Sequence, residues 1–468
     1  MRNRNAARGI DGLTFGLFAS LVAIGWLSIY TVGYGDGYPD TFSEYLKTTA
    51  SGKQTIWIGI SMLVFGAIYL IDWKFWRTFA YPIYIVGMAM LALVLVFGAT
   101  IKGATSWFAF GGFSLQPSEF AKFATCLAMS SYLSTHNTDL RNIQDQVVGV
   151  TIFSLPIILI LLQPDAGSAL VFLSFLLVLY RAGLSTIYFL IGITLAILLI
   201  LGIMYQAWIT ILGLLWIGIL ILNIQFKKYR LQRYTVFGIL VALSFLAVQR
   251  DWITEVLTTN AAVLLGLGIY HYGKKSQLVN GIVSSLAVGS GIVYAANYAF
   301  NNFLGSHQQD RINVWLRPEL CDPRGSLYNV LQSKMAIGSG GLHGKGFLQG
   351  TMTKLNYVPE QTTDFIFCTI GEEQGFIGGT LIILVFLALM LRTVFIAEKQ
   401  RSLFSRYYAY CVAGILFIHV SINIGMTIGL VPIIGIPLPF ISKGGSSLLG
   451  FTMMMAVLMK LDSYRFSN

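Results

Sequence analysis

Residues 78–99 read TFAYPIYIVGMAMLALVLVFGA, a run of 22 without one charged side chain. Coiled as a helix it reaches about 33 Å, enough to cross a hydrocarbon core of roughly 30 Å, and a helix satisfies its own backbone in lipid. Similar apolar stretches recur at 14–34, 54–71, 118–134, 146–163, 168–182, 186–204, 208–223, 235–249, 259–271, 281–300, 364–394, 404–428 and 444–461. Together they give about fourteen spans, of which 259–271 is short enough to be re-entrant. Composition agrees, with 56% of the 468 residues hydrophobic and 11% charged. The expected fold is an all-α polytopic membrane protein, a single integral domain over 1–468 with no soluble domain left over. The stretch after Met1-Arg2-Asn3-Arg4 is long enough to span and lacks a small-residue cleavage site, so it is expected to be a retained first helix.

The formal net charge is +11. Its basic residues cluster at Arg2/Arg4/Arg8, Lys74/Arg77, Lys227/Lys228/Arg230/Arg233, Lys274/Lys275, Lys399/Arg401/Arg406 and Lys460/Arg465, which alternation of the spans puts on one side. Both termini are therefore expected in the cytoplasm, and the segments 35–53, 100–117, 301–363 and 429–443 outside. Topology accounts for the basic charge, so no nucleic-acid partner is expected. The four cysteines have neither metal-ligand spacing nor a disulfide framework, and lone His343 suggests no histidine metal site.

A connection as long as 301–363 is uncommon unless it works, and this one is rich in Gly, Pro, Asp, Arg and Gln. In Asp322-Pro323-Arg324-Gly325 the proline biases Asp322 to an extended backbone. That carboxylate is either a turn residue or a general base for a sugar hydroxyl, a contribution of about a hundred- to ten-thousandfold. Gln308, Arg311, Arg317, Arg324, Lys334, His343 and Lys345 supply donors and cations suited to a diphosphate and to the charge on a leaving phosphate. The glycine-rich run 338–346 lacks the spacing and strand-to-helix setting of a nucleotide loop, so no nucleotide is expected.

In Gln116-Pro117-Ser118-Glu119-Phe120-Ala121-Lys122, Glu119 and Lys122 are three apart and share a helix face. Each charge alone would cost roughly 2.5–3.5 kcal/mol near a membrane centre, so the pair should face a polar interior, either orienting the helix or working in a site. Gln163-Pro164-Asp165-Ala166-Gly167-Ser168 reads as a turn in which Asp165 caps the next helix. After Pro359-Glu360-Gln361-Thr362-Thr363-Asp364, Glu372 and Glu373 lie inside a span, where helix-interior pairing is the plain reading. The outer turn 435–447 ends at a helix start whose free amides suit an anion or ordinary capping, and it adds Ser442, Lys443 and Ser446 to the candidates.

Taken in order, these segments resemble the SEDS family (shape, elongation, division and sporulation), the membrane-embedded peptidoglycan glycosyltransferases. Gln116–Lys122, Gln163–Gly167, Gln308 with Arg311, Asp322-Pro323 with Gly325, the glycine run through Gly346, Pro359-Glu360 with Thr363-Asp364-Phe365, and Gly444-Gly445-Ser446-Ser447 carry the resemblance. It covers most of the chain outside 186–280. It implies a SEDS-type helical bundle in the bacterial cytoplasmic membrane, polymerising lipid II, the disaccharide-pentapeptide on undecaprenyl diphosphate, into a growing lipid-linked glycan strand with inversion at the anomeric carbon. Asp322 matches the family's loop aspartate, proposed to deprotonate the acceptor hydroxyl, and Glu119 and Lys122 match the paired polar residues of its cavity. Gln308, Arg311, Lys345, Ser442, Lys443 and Ser446 are then the substrate-binding candidates. The resemblance also implies a divalent cation (Mg or Mn), with no protein ligands assigned, membrane lipids around the bundle, and a class B penicillin-binding protein, the cross-linking transpeptidase, as partner.

Gly435-Ile436-Pro437-Leu438-Pro439 and Gly344-Lys345-Gly346 are more similar to the RodA branch, of elongation, than to the FtsW branch, of division. Thr362 stands where the family usually has histidine, Lys443 where it has tyrosine, and Leu327-Tyr328-Asn329 where glycine, tyrosine and glutamine are usual. Since the family commonly has about ten spans, 186–280 reads as an insertion of about four, an even number that keeps the catalytic loop 301–363 outside. A flippase of the same precursor, or a scaffold for the transpeptidase, would use the same polar bundle and loop.

Overall fold

The computed structural model describes every residue except 1–8, 35–38, 40, 102–103, 111–112, 137, 226–229, 323, 326 and 466–468. Arg2, Arg4, Arg8, Lys227, Lys228 and Pro323 thus lie outside the described residues. Each of the apolar stretches is helical: Gly12–Gly33, Ala50–Leu70, Ala80–Phe97, Pro117–Leu133, Ile143–Leu161, Ala166–Val171 with Ser174–Arg181, Thr186–Met204, Ala207–Gln225, Arg230–Val248, Ile253–Asn302, Ile366–Lys399, Leu403–Thr427 and Gly445–Ser463. Among the described residues eleven helical segments are long and apolar enough to cross a membrane. Pro117–Leu133 and Gly445–Ser463 are not among these, and both are buried along nearly their whole length. Enclosed by other helices, they carry the small and polar residues that let backbones approach and hydrogen-bond.

Ile253–Asn302 cannot be straight. A Cβ placed on Gly218 would lie within 4 Å of both Leu264 and Leu286, which a straight helix would hold about 33 Å apart. Gly268 likewise packs on Val279. The run therefore doubles back between these two residues into apolar arms, Ile253–Tyr270 and Gln277–Asn302.

The segment after Ala80–Phe97 forms an antiparallel three-stranded sheet not anticipated from hydropathy: Ala99–Ile101, Ala104–Phe110 and Phe113–Leu115, with Ala99 opposite Trp107 and Phe108 opposite Leu115. It delivers the chain to Gln116, where Pro117 begins a helix at the one position where a missing N–H is harmless.

The chain divides into two compact units, Met1–Ser185 with Asp322–Asn468, and Thr186–Cys321. In the first, Phe18, Phe65, Phe440 and Phe451 make a ladder of ring contacts through the bundle, with centroids 5.1 Å apart for Phe18–Phe440 and 5.5 Å for Phe440–Phe451. The second has its own apolar core of Leu215, Ile219, Leu222, Leu264 and Val279. There Arg317 closes the end of Thr186–Met204 by donating to the carbonyls of Ile203 and Met204.

Candidate active site

Glu119 and Lys122 face the interior of the first unit, with Lys122 Nζ 2.9 Å from Glu119 Oε1 and side-chain exposures of only 4% and 1%. The pair has a third member. His419, from the apolar helix Leu403–Thr427, places Nε2 2.9 Å from Lys122 Nζ and Nδ1 3.1 Å from the carbonyl oxygen of Pro437. A carbonyl only accepts, so Nδ1 carries the proton and Nε2 is left to accept from the ammonium. The Phe451 ring lies 5.2 Å from Nζ and edge-on to the imidazole, adding a cation–π attraction. Glu119 Oε2 is buried and has no hydrogen-bond partner among the described residues. A buried acceptor left in that state costs about 1–3 kcal/mol, so the cluster is built with one place for a donor still open.

The two glutamine-proline motifs meet beside it. Gln116 Nε2 donates to Asp165 Oδ2 at 2.9 Å, and the Ser118 and Ser168 hydroxyls are 3.3 Å apart. Asp165 accepts from the Ser168 backbone N–H at 3.0 Å, the helix cap expected of it. Gly167 lies against the loop that follows Leu403–Thr427: a Cβ there would come within 2.7 Å of the Ile434 carbonyl oxygen.

That loop is tied down from several sides. Asn423, one turn after His419, donates to the carbonyls of Asp364 (2.9 Å) and Ile436 (2.7 Å). Ser442 Oγ donates to the Thr363 carbonyl and accepts from Leu438 N, and Lys443 N donates to the Thr362 carbonyl. Burial, and then the nearby Lys53 charge, hold the Lys443 ammonium below the usual lysine range, against the pull of Glu360. Ser446 is buried in the first turn of Gly445–Ser463.

Lys345 is committed elsewhere: its ammonium lies 2.7 Å from Glu372 Oε1, and that fully buried carboxylate also accepts from Met352 N, Thr353 N and Thr353 Oγ1. The glycine run thus fastens onto the Ile366–Lys399 helix, whose regular path breaks at Gly375, φ +65°. A side chain at Gly375 would also strike Gly344 N, at 2.3 Å. Asp322 is exposed and closes its own turn, Oδ1 accepting from Arg324 N at 3.0 Å and its carbonyl from Gly325 N. Gln308 and Arg311 are exposed, three apart, on Ser306–Leu316 of the second unit.

The structure therefore joins Glu119 to Lys122 directly, groups Ser442, Lys443 and Ser446 at one helix entrance, pairs Lys345 with Glu372 and leaves Asp322 in its own turn. Sequence reading missed His419 and Asn423. Their signal was two polar residues spaced four apart in a membrane span, hence on one helix face.

A family model described as cell cycle protein, for FtsW, RodA and SpoVE, matches residues 12–238 and 214–466. The chain belongs to this family. It is 31% identical over 464 residues to the peptidoglycan glycosyltransferase RodA of Treponema pallidum (strain Nichols), covering 97% of this chain and 99% of that protein. With the peptidoglycan glycosyltransferase MrdB of Escherichia coli (strain K12) it shares 28% over 411 residues, 87% of this chain and 84% of the relative. Among solved structures it matches a chain of a peptidoglycan synthase complex described as coordinating polymerization and crosslinking, with TM-score 0.62, 20% identity and coverage of 98% and 99%. The rod shape determining protein RodA of Thermus thermophilus matches with TM-score 0.55 at 20% identity, over 98% of this chain and 99% of that one. The family's fold is thus this chain's fold, a multi-pass helical bundle of a bacterial membrane, and its RodA members are close relatives in sequence.

Proposed function

We propose that this protein is a RodA-type peptidoglycan glycosyltransferase that polymerises lipid II on the outer face of the bacterial cytoplasmic membrane during cell elongation, with both termini in the cytoplasm. The observation that carries the reading is the buried Glu119–Lys122–His419 cluster with its open carboxylate oxygen, in a chain similar over nearly its full length to proteins named peptidoglycan glycosyltransferase. In this reading 301–363 is the extracytoplasmic catalytic loop, and 186–280 is an even-numbered insertion that leaves the loop outside.

Asp322 is the general base. Its exposed carboxylate takes the proton of the acceptor sugar hydroxyl as that oxygen bonds to the donor's anomeric carbon from the face opposite the diphosphate. The bond from that carbon to the diphosphate breaks, and configuration inverts. Asp322 Oδ1 already accepts one backbone N–H, which holds the carboxylate still while leaving lone pairs for the hydroxyl. Lys443, with Ser442 and Ser446 as donors, offsets the charge left on the diphosphate; Gln308 and Arg311 of the second unit are further substrate-binding candidates. The Lys345 charge serves this role only in so far as its ion pair with Glu372 leaves it free.

Among the described residues no group of three or more His, Cys, Asp or Glu side chains could hold a metal ion. A divalent cation would be carried mainly on the substrate phosphates, in the manner usual for Mg²⁺, with no protein ligand assigned to it. It would supply charge neutralisation to the leaving diphosphate. The proposed partner is a class B penicillin-binding protein. Its support is the likeness to a chain from a complex described as coordinating polymerization with crosslinking.

The test is to incubate purified wild-type and Asp322→Asn protein with lipid II and Mg²⁺ or Mn²⁺, with and without the transpeptidase, and to resolve the glycans by length. Wild-type chains that vanish in the variant are expected. A wild type that makes none under any condition would shift the reading to a flippase or a scaffold, neither of which has a polymerase activity to lose.

A further inference from the structure

We propose that His419 is a positioning residue that fixes Lys122 and ties the buried ion pair to the outer loop; this rests on the polymerase reading for its effect on rate. The imidazole makes two directional bonds at opposite ends. Nδ1–H donates to the Pro437 carbonyl at 3.1 Å, and Nε2 accepts from Lys122 Nζ at 2.9 Å. A lysine ammonium is a point charge on a flexible stem with three donors, so Glu119 Oε1 alone leaves it free to swing. A second acceptor from another helix removes that freedom, and the Phe451 ring packs on both partners.

The consequence reaches outward. Pro437 lies in the loop that carries Ser442 and Lys443, and Asn423, on the same helix as His419, holds the preceding residue Ile436 at 2.7 Å. His419 and Asn423 thus grip successive loop carbonyls, and one of them is also an acceptor for Lys122. Any shift of the loop is passed to the ammonium, and through it to the open Glu119 oxygen. His419 is 1% exposed, and its two ring nitrogens face Lys122 and the Pro437 carbonyl.

Two arms test this. Solid-state ¹⁵N spectra of histidine-labelled protein, with the His419→Gln spectrum subtracted, should show His419 neutral with the proton on Nδ1. A proton on Nε2, or an imidazolium, overturns the proposal without reference to activity. In glycan synthesis from lipid II, His419→Leu should lower kcat about tenfold to a hundredfold with KM little changed, as expected when a candidate catalytic side chain, Lys122, is misplaced. His419→Gln, whose amide offers an acceptor and a donor at similar spacing, should stay within about threefold of wild type. Leucine and glutamine variants that fall equally, or a leucine variant with wild-type kcat, would each sink the idea; melting both in detergent identifies loss through unfolding. Should the wild type make no glycan at all, the polymerase reading fails, while the spectroscopic arm still decides what His419 does.

Discussion

Two of the polar clusters buried among the described residues, one taken from each unit, are built differently. In the second unit Asn260, fully buried, accepts from Trp216 Nε1 at 3.1 Å and donates to Ser244 Oγ at 2.9 Å and to the Val256 carbonyl at 2.8 Å. It is neutral, and both ends of its amide are bonded. In the first unit Glu119, Lys122 and His419 include two formal charges, and Glu119 Oε2 is left without a partner. A satisfied neutral amide joins three stretches of helix at little cost and does nothing more. A buried charged group with an unfilled acceptor is expensive to keep, and among the described residues Glu373 Oε1 is another such oxygen; the Glu119 cluster is the one we propose as part of the working site. Glu372 shows that charge alone does not make such a site: it too is fully buried, yet its oxygens take four bonds and its role is to hold a loop.

The sharpest way to break this contrast is Lys122→Met. Leaving Glu119 buried without its cation should destabilise the bundle by about 3–5 kcal/mol, seen as a lower melting temperature in detergent. Glycan synthesis should fall by at least about a hundredfold. A variant that polymerises normally would reduce the pair to a strut.

Glu119→Gln is gentler, because the amide oxygen still accepts from Lys122 while the charge and one acceptor are gone. Polymerisation should drop by about tenfold to a hundredfold with folding nearly intact; unchanged kcat would mean that the open oxygen serves no ligand. Asn260→Leu should do the opposite, weakening the second unit by about 0.6–1.7 kcal/mol in a denaturant titration while polymerisation continues at the wild-type rate. If that variant instead lost activity with its fold intact, the neutral cluster would have a functional role after all.

The smallest expected effect concerns the loop that carries Lys443. Lys53→Gln removes the like charge that helps lower the Lys443 pKa, so the Lys443 value should move up towards the ordinary lysine range, with the larger burial contribution remaining. NMR of ¹³C-methylated lysines would show it, and no movement would mean that burial acts alone.

Much of the architecture is decided locally. The apolar runs became helices because length and hydropathy act residue by residue, and the turn at Asp165 caps its helix because a short carboxylate reaches an amide three residues on. Glu119 and Lys122 pair because three residues on a helix make them neighbours, whatever surrounds them. The same locality hid the rest. The sheet at 99–115 depends on strand pairing that hydropathy does not register, and the reversal between Gly268 and Val279 is betrayed by Leu264 and Leu286 meeting at Gly218 and by Gly268 packing on Val279. Lys345, which as a loop cation suited a diphosphate, is held by Glu372, 27 residues further along. His419 reaches Lys122 across 297 residues. Composition and spacing fix what each segment is, because those forces act within a few residues; which segments share a partner is set by packing, and that is where the choice of Glu119 Oε2 as the open position was made.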